Sequence, residues 1–134
     1  MAKPTKRDVL RLRKAAIGGM VSYMKYGAAE SEADPDFDED FDAGYTQPDI
    51  DRCAAIIDEL LASLESVPEP KRNGTILKAV KAAVVKLNRL NDRCDGSLIE
   101  TDQREQLCEL IITAARQAGL VSSVYDITEE WREW

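Results

Sequence analysis

Histidine is absent from this chain of 134 residues, and that absence removes much chemistry. There is no Ser-His or Cys-His nucleophile, no imidazole base and no histidine-containing zinc site. The cysteines number three, one fewer than a cysteine-only zinc site needs. No glycine-rich phosphate loop occurs; the stretch "IGGM" (Ile17–Met20) lacks the spacing and the following Lys-Ser/Thr. No run approaches the about 18 apolar residues of a membrane span. The basic N-terminus "MAKPTKRDVLRLRKAAIGGMV" interleaves its apolar residues with charge and has no signal-peptide core, so it reads as the first helix of the fold. Enzyme chemistry here is restricted to carboxylates, lysines and tyrosines.

Cys53, Cys94 and Cys108 are an odd number with no close pair. The pattern suits reduced thiols in a cytoplasmic protein better than a disulfide framework. Cys53 and Cys108 fall on apolar helical stripes and read as small core hydrophobes. Cys94, at a helix end, is the one thiol expected to be open to reagents.

What the chain does have is core material, with 44% hydrophobic residues and a length suited to one domain burying roughly two-thirds of its unfolded surface. A first helix is predicted from an N-cap at Thr5, with Asp8 three residues on, to about Tyr26, with Val9, Leu12, Ala16, Met20 and Tyr23 on one face. Gly18 and Gly19 each weaken its middle by roughly 1 kcal/mol and permit a kink or a close helix approach. A second starts at Thr46, with Pro48 in its first turn, carries Ile50, Cys53, Ile57, Leu60, Leu61 and Leu64, and stops at "VPEP". A third runs from about Thr75 to Leu90, with Ile76, Leu77, Val80, Val84, Leu87 and Leu90 inward. Lys78, Lys81, Lys86, Arg89 and Arg93 lie on its outer side and C-terminal end. A fourth opens with Thr101 as N-cap, buries Leu107, Cys108, Ile111, Ala115 and Ala118, and ends at Gly119. Asp95-Gly96 marks a turn before it. "ITEEWREW" predicts a last short helix capped by Thr128, with Trp131 and Trp134 on one side. No stretch alternates long enough for a strand. The fold class is therefore all-α, an antiparallel bundle of four main helices with short acidic and C-terminal helical segments, in one domain over residues 1–134.

Charge is arranged in blocks. Residues 1–27 carry seven bases and one acid, and residues 28–66 one base and thirteen acids. Residues 71–93 carry seven bases and one acid, and residues 94–134 three bases and nine acids. Within the connecting segment 29–46, the run from Glu30 to Asp42 holds eight carboxylates, no base and the only two phenylalanines, Phe37 and Phe41.

A calcium loop needs oxygen ligands at its first, third and fifth positions, glycine at the sixth and glutamate at the twelfth. Starting at Asp34 those last two are Glu39 and Tyr45; from Asp36 they are Phe41 and Gln47; from Asp38, Ala43 and Asp49. Every register fails, so no metal site and no cofactor is expected. Read as a helix, Asp34 is an N-cap, Pro35 the first helical residue and Gly44 the stop, while Phe37, Phe41 and Tyr45 recur every four residues. That describes a short acidic element docked by its aromatics, either on the molecule's own basic helices or on a basic partner. Trp131 and Trp134 close a groove of the bundle or, if exposed, form a hot-spot pair rimmed by Glu129, Glu130 and Glu133. A net charge of −7 speaks against a phosphate-dominated, nucleic-acid interface. Glu100, Asp102 and Glu105 cluster at a helix start, where capping and the helix dipole account for them.

The segments "LNDRCDGSLIETDQREQLCELI" and "DITEEWREW" resemble motifs shared by a group of small uncharacterised bacterial proteins, over about the last third of the chain. Small acidic helical proteins of this kind are suspected of immunity or antitoxin roles. The resemblance implies neutralisation of a cognate toxin and carries over no catalytic residue. The functional expectation is a non-enzymatic protein-binding module. Its partner-facing residues are Asp36, Phe37, Asp38, Glu39, Asp40, Phe41 and Asp42, with Trp131 and Trp134. A carboxylate-based, divalent-metal-dependent enzyme and a structural adaptor or homodimer subunit are the alternatives.

Overall fold

Helix α1 (Lys6–Met24) begins where Thr5 and Asp8 cap each other. The Asp8 backbone N–H donates to Thr5 Oγ1 at 3.2 Å and the Thr5 N–H to Asp8 Oδ2 at 2.9 Å, satisfying two amides that a helix start leaves unpaired. At α2 (Gln47–Glu65) the Thr46 N–H likewise donates to Asp49 Oδ2, at 2.9 Å. With α3 (Arg72–Arg93) and α4 (Thr101–Gln117), these are the helices of a computed structural model that describes residues 3–25, 42–67 and 72–134. Among the described residues there is no strand, and the fold is an all-α helical bundle.

Packing is chiefly α1 on α4 and α2 on α3. Cross-helix pairs give the directions. Between α1 and α2, Lys6 meets Glu65 and Arg13 meets Asp58; between α2 and α3, Glu59 meets Lys86, and Asp49 lies beside Cys94, the residue after α3. Rising number on one helix with falling number on the other is antiparallel packing. Gly19 faces α4, where a Cβ would stand 2.9 Å from the mobile end of the Gln106 side chain, whereas Gly18 faces open space.

The core is made by the predicted stripes. Val9, Leu12, Ala16 and Met20 of α1, Ile50, Cys53, Ile57, Leu60 and Leu64 of α2, and Ile76, Val80, Val84, Leu87 and Leu90 of α3 are buried. Helix α4 buries Leu110, Ile112 and Ala114 beyond the expected Leu107, Ile111 and Ala115, because it is covered on two sides. Cys108, Ala118, Leu61 and Leu77 are only partly buried. Tyr23, expected on the inner face of α1, is instead exposed at the helix edge and stacks on Tyr45 with ring centroids 6.4 Å apart.

Other boundaries shift for physical reasons. Helix α3 extends beyond Thr75–Leu90 at both ends. Asn73, in its first turn, exchanges both amide hydrogen bonds with the Val121 backbone (2.8 and 3.1 Å), a tertiary tie that outweighs the poor propensity of Asn-Gly. At its other end the Gly96 N–H reaches the Asn91 carbonyl (2.8 Å) and the Asp95 N–H that of Asp92 (3.0 Å), a Schellman closure with Asp95 at φ 54°. The N-cap of α4 is Glu100 rather than Thr101; its carbonyl accepts from the Arg104 N–H at 2.7 Å, and its side chain makes no cap bond.

The C-terminal residues 121–134 form a strap rather than a helix. Only one turn of hydrogen bonds closes, from the Trp131 and Arg132 N–H groups to the Thr128 carbonyl. The next groups are captured by α3: Asn88 Nδ2 donates to the Trp131 carbonyl at 2.8 Å and the Glu133 N–H to Asn88 Oδ1 at 3.1 Å. The strap thus runs from Asn73 at the start of α3 to Asn88 near its end. Along α4, Arg116 lies over the Tyr125 ring and Cys108 Sγ sits 3.5 Å from Thr128 Oγ1.

Candidate functional site

Of the residues expected to face a partner, Asp36, Phe37, Asp38, Glu39, Asp40 and Phe41 lie outside the described residues, and with them the short acidic helix. Asp42 is described and exposed, and its Oδ1 accepts from the Gly44 N–H at 2.8 Å. That turn holds Gly44 at φ +85° and brings it so close to Ser97 that a Cβ would stand 2.6 Å from Ser97 Cβ. Tyr45 then turns inward. It is buried, and its hydroxyl donates to the Met20 carbonyl at 2.9 Å near the end of α1. Burial, with Tyr23 and Glu100 nearby, pushes its hydroxyl up to about 12. Tyr45 is therefore a fixed strut just ahead of α2.

Trp131 and Trp134 are half-buried and packed against the core. Around them is a polar lock. Asp126 Oδ1 accepts from both the Thr128 N–H and hydroxyl, and Asp126 Oδ2 from Arg132 Nη2 at 3.1 Å. Arg132 also donates to the Trp134 carbonyl at 2.8 Å and stacks over the Trp134 ring at 5.5 Å. Burial pushes the Asp126 carboxyl up, but the bonds from Thr128 and the nearby Arg132 outweigh it and hold it below its ordinary range. The lock orders the chain end; it presents no free nucleophile.

The thiols are arranged differently from expectation. Cys94 is 5% exposed, because the Schellman turn folds it under the α3 end beside Asp49. Burial first, then the Asp49 carboxylate, push its thiol up. Burial pushes Cys53 up to about 12. The half-exposed thiol is Cys108, at the edge of a groove lined by Glu105, Glu109, Ile112, Tyr125 and Asp126. Burial raises it too, with a smaller opposing effect from Thr128. Among the described residues, no three of the Cys, Asp and Glu side chains converge as a metal site would require, and no helix is long and apolar enough to cross a membrane.

Charge on the bundle follows a pattern that the sequence blocks only partly anticipate. The acids of α2 serve both basic neighbours: Asp58 takes a bidentate bond from Arg13 (2.7 and 3.0 Å), Glu65 pairs with Lys6, and Glu59 with Lys86. On the outer side of α2 and α3 a second surface emerges. Arg52 of α2 and Lys86, Arg89 and Arg93 of α3 line an open groove of about 280 Å³ floored by Ala55, Ile56 and Leu90. Sequence reasoning placed the α3 bases on the outer side of their helix but missed that Arg52 joins them. The signal was present in the spacing of Lys86, Arg89 and Arg93, three and four residues apart on one helical ridge.

No protein-family model matches the chain, and comparisons with curated proteins and with solved structures find no match.

Proposed function

We propose that the protein is a non-enzymatic binding module of the immunity or antitoxin type, engaging a basic protein partner through the acidic run Glu30–Asp42. The observation that carries this reading is the distribution of charge. The run holds eight carboxylates and no base, so a chain of net −7 is left at +1 without it. Within the described bundle Glu65, Asp58 and Glu59 of α2 are each paired with a base, Lys6 and Arg13 of α1 and Lys86 of α3. The densest negative charge thus belongs to one continuous stretch of sequence, which ends two residues before Gly44 and three before the buried Tyr45. Phe37 and Phe41 add apolar anchors to that stretch, and the surrounding charge chiefly raises the association rate. Trp131 and Trp134 are assigned to holding the strap, and the contact with the partner to the run.

The test is capture from lysate of the source cells at low and high salt. The baits are the natural chain and one with Asp36, Asp38 and Asp40 changed to Asn. A basic protein retained by the natural chain, released by salt and lost with the triple variant is expected. Recovery of no salt-sensitive protein, or equal recovery by both chains, overturns the reading.

A further inference from the structure

We infer that the α2–α3 groove is a second binding face, opposite in sign to the first, that takes an acidic peptide segment of a partner protein. Lys86, Arg89 and Arg93 stand along one ridge of α3, and Arg52 faces them from α2. Lys86 and Arg52 already hold carboxylates of the chain itself, Glu59 and Asp49. Arg89 and Arg93 are exposed and have no ion-pair partner among the described residues. Their guanidinium forks present paired N–H groups that match a carboxylate's two oxygens. The floor of Ala55, Ile56 and Leu90 is apolar, which suits an aliphatic or aromatic side chain lying between the ligand's carboxylates.

This combination selects among anions. Asp49 and Glu59 already pair with Arg52 and Lys86, so a continuous phosphate backbone, which needs a row of free cations, finds only Arg89 and Arg93 among the groove's four. A peptide supplies carboxylates singly, with apolar side chains between them, and follows the alternation of charge and floor. Electrostatic complementarity is therefore to an acidic, partly apolar protein segment and not to nucleic acid.

The experiment is fluorescence anisotropy with a labelled short peptide of alternating aspartate and phenylalanine, alongside its asparagine counterpart and a single-stranded oligonucleotide of equal charge. Titrations use the full chain and the full chain with Asp36, Asp38 and Asp40 changed to Asn. Binding seen only with the second chain means that its own carboxylates compete for the groove, and supports the assignment. Saturable binding of the acidic peptide is expected, weakened about tenfold by Arg89→Glu with Arg93→Glu and less by the corresponding Gln pair. Both arginines are exposed, so the helical circular dichroism should be unchanged. Lys14→Glu, on α1 outside the groove, should leave affinity within about twofold. The assignment is overturned if neither chain binds the peptide saturably. It is equally overturned if the asparagine peptide binds as well, if Lys14→Glu weakens binding as much as the arginine pair, or if the oligonucleotide binds more tightly.

Discussion

The four helices and the C-terminal strap are held by different forces, though they share one core. The helices meet through apolar stripes: Met20, Ile50, Ile57, Ile76, Leu87 and Leu107 are fully buried, and most of the polar contacts between helices are exposed ion pairs. The strap contributes Ile127 and parts of two tryptophans to that core, but its path is fixed by polar side chains reaching its backbone. Asn73 takes both backbone groups of Val121, Asn88 takes the Trp131 carbonyl and the Glu133 N–H, and Asp126 locks Thr128 and Arg132. Apolar burial is non-directional and tolerates many partners, whereas a side-chain amide specifies one partner at one distance. The helices are thus determined by pattern, and the strap by a few individual groups.

The contrast can be broken most forcefully in the core. Leu87→Ala should cost about 3 kcal/mol in chemical unfolding, through lost transfer energy and the cavity left behind, and should loosen helices and strap together.

Asn88→Ala should separate the two. Removing both amide bonds leaves a backbone carbonyl and an N–H of the strap without partners, at a cost of about 2 kcal/mol. The local signature matters more than the total: faster amide exchange over residues 127–134, red-shifted tryptophan emission and faster modification of Cys108, which lies against Thr128. Cys53 and Cys94 should stay unreactive until global unfolding. Uniform loosening would show that the strap is no separate unit.

A smaller effect is expected from Asp126→Asn, and it carries a pH signature. The folded carboxyl lies below its ordinary 3.8, so the deprotonated form is favoured by folding. Its contribution is complete above about that value and is lost as pH falls through the lowered folded pKa. The stability gap between the natural chain and the variant should therefore be constant near neutral pH and close in acid. Asp8 and Asp49 shift in the same direction at their caps, so the difference between the two chains is the quantity to follow. A gap that widens in acid would contradict the lock.

The smallest change sharpens the comparison from the helix side. Asp95 occupies the left-handed position of the Schellman turn at φ 54°, a place that suits glycine. Asp95→Gly should stabilise the fold by about 0.5 kcal/mol without altering exchange in the strap.

Legibility in the sequence follows the same division. The inward faces of α1, α2 and α3 repeat at intervals of three and four residues, which only one local structure places on one side. The cap at Thr5 and the turn at Asp95-Gly96 are local too, so they could be read. The role of Asn88 could not. An asparagine between Leu87 and Leu90 reads locally as a weak point in a stripe, and nothing nearby announces a partner 43 residues away. The burial of Cys94 is illegible for a related reason: a helix end reads as accessible until the turn after it folds back. The meeting of Arg52 with Lys86, Arg89 and Arg93 also depends on how α2 lies against α3.

The sequence by itself determined that this is an all-α bundle and which side of each helix faces inward, because periodicity and capping act over a few residues. It also determined that negative charge is concentrated between the first two helices. Tertiary structure alone decided the course of the last fourteen residues, the burial of Cys94 and the assembly of a basic groove from two helices. Each of these depends on groups far apart in the chain, whose energy appears only once the helices have packed.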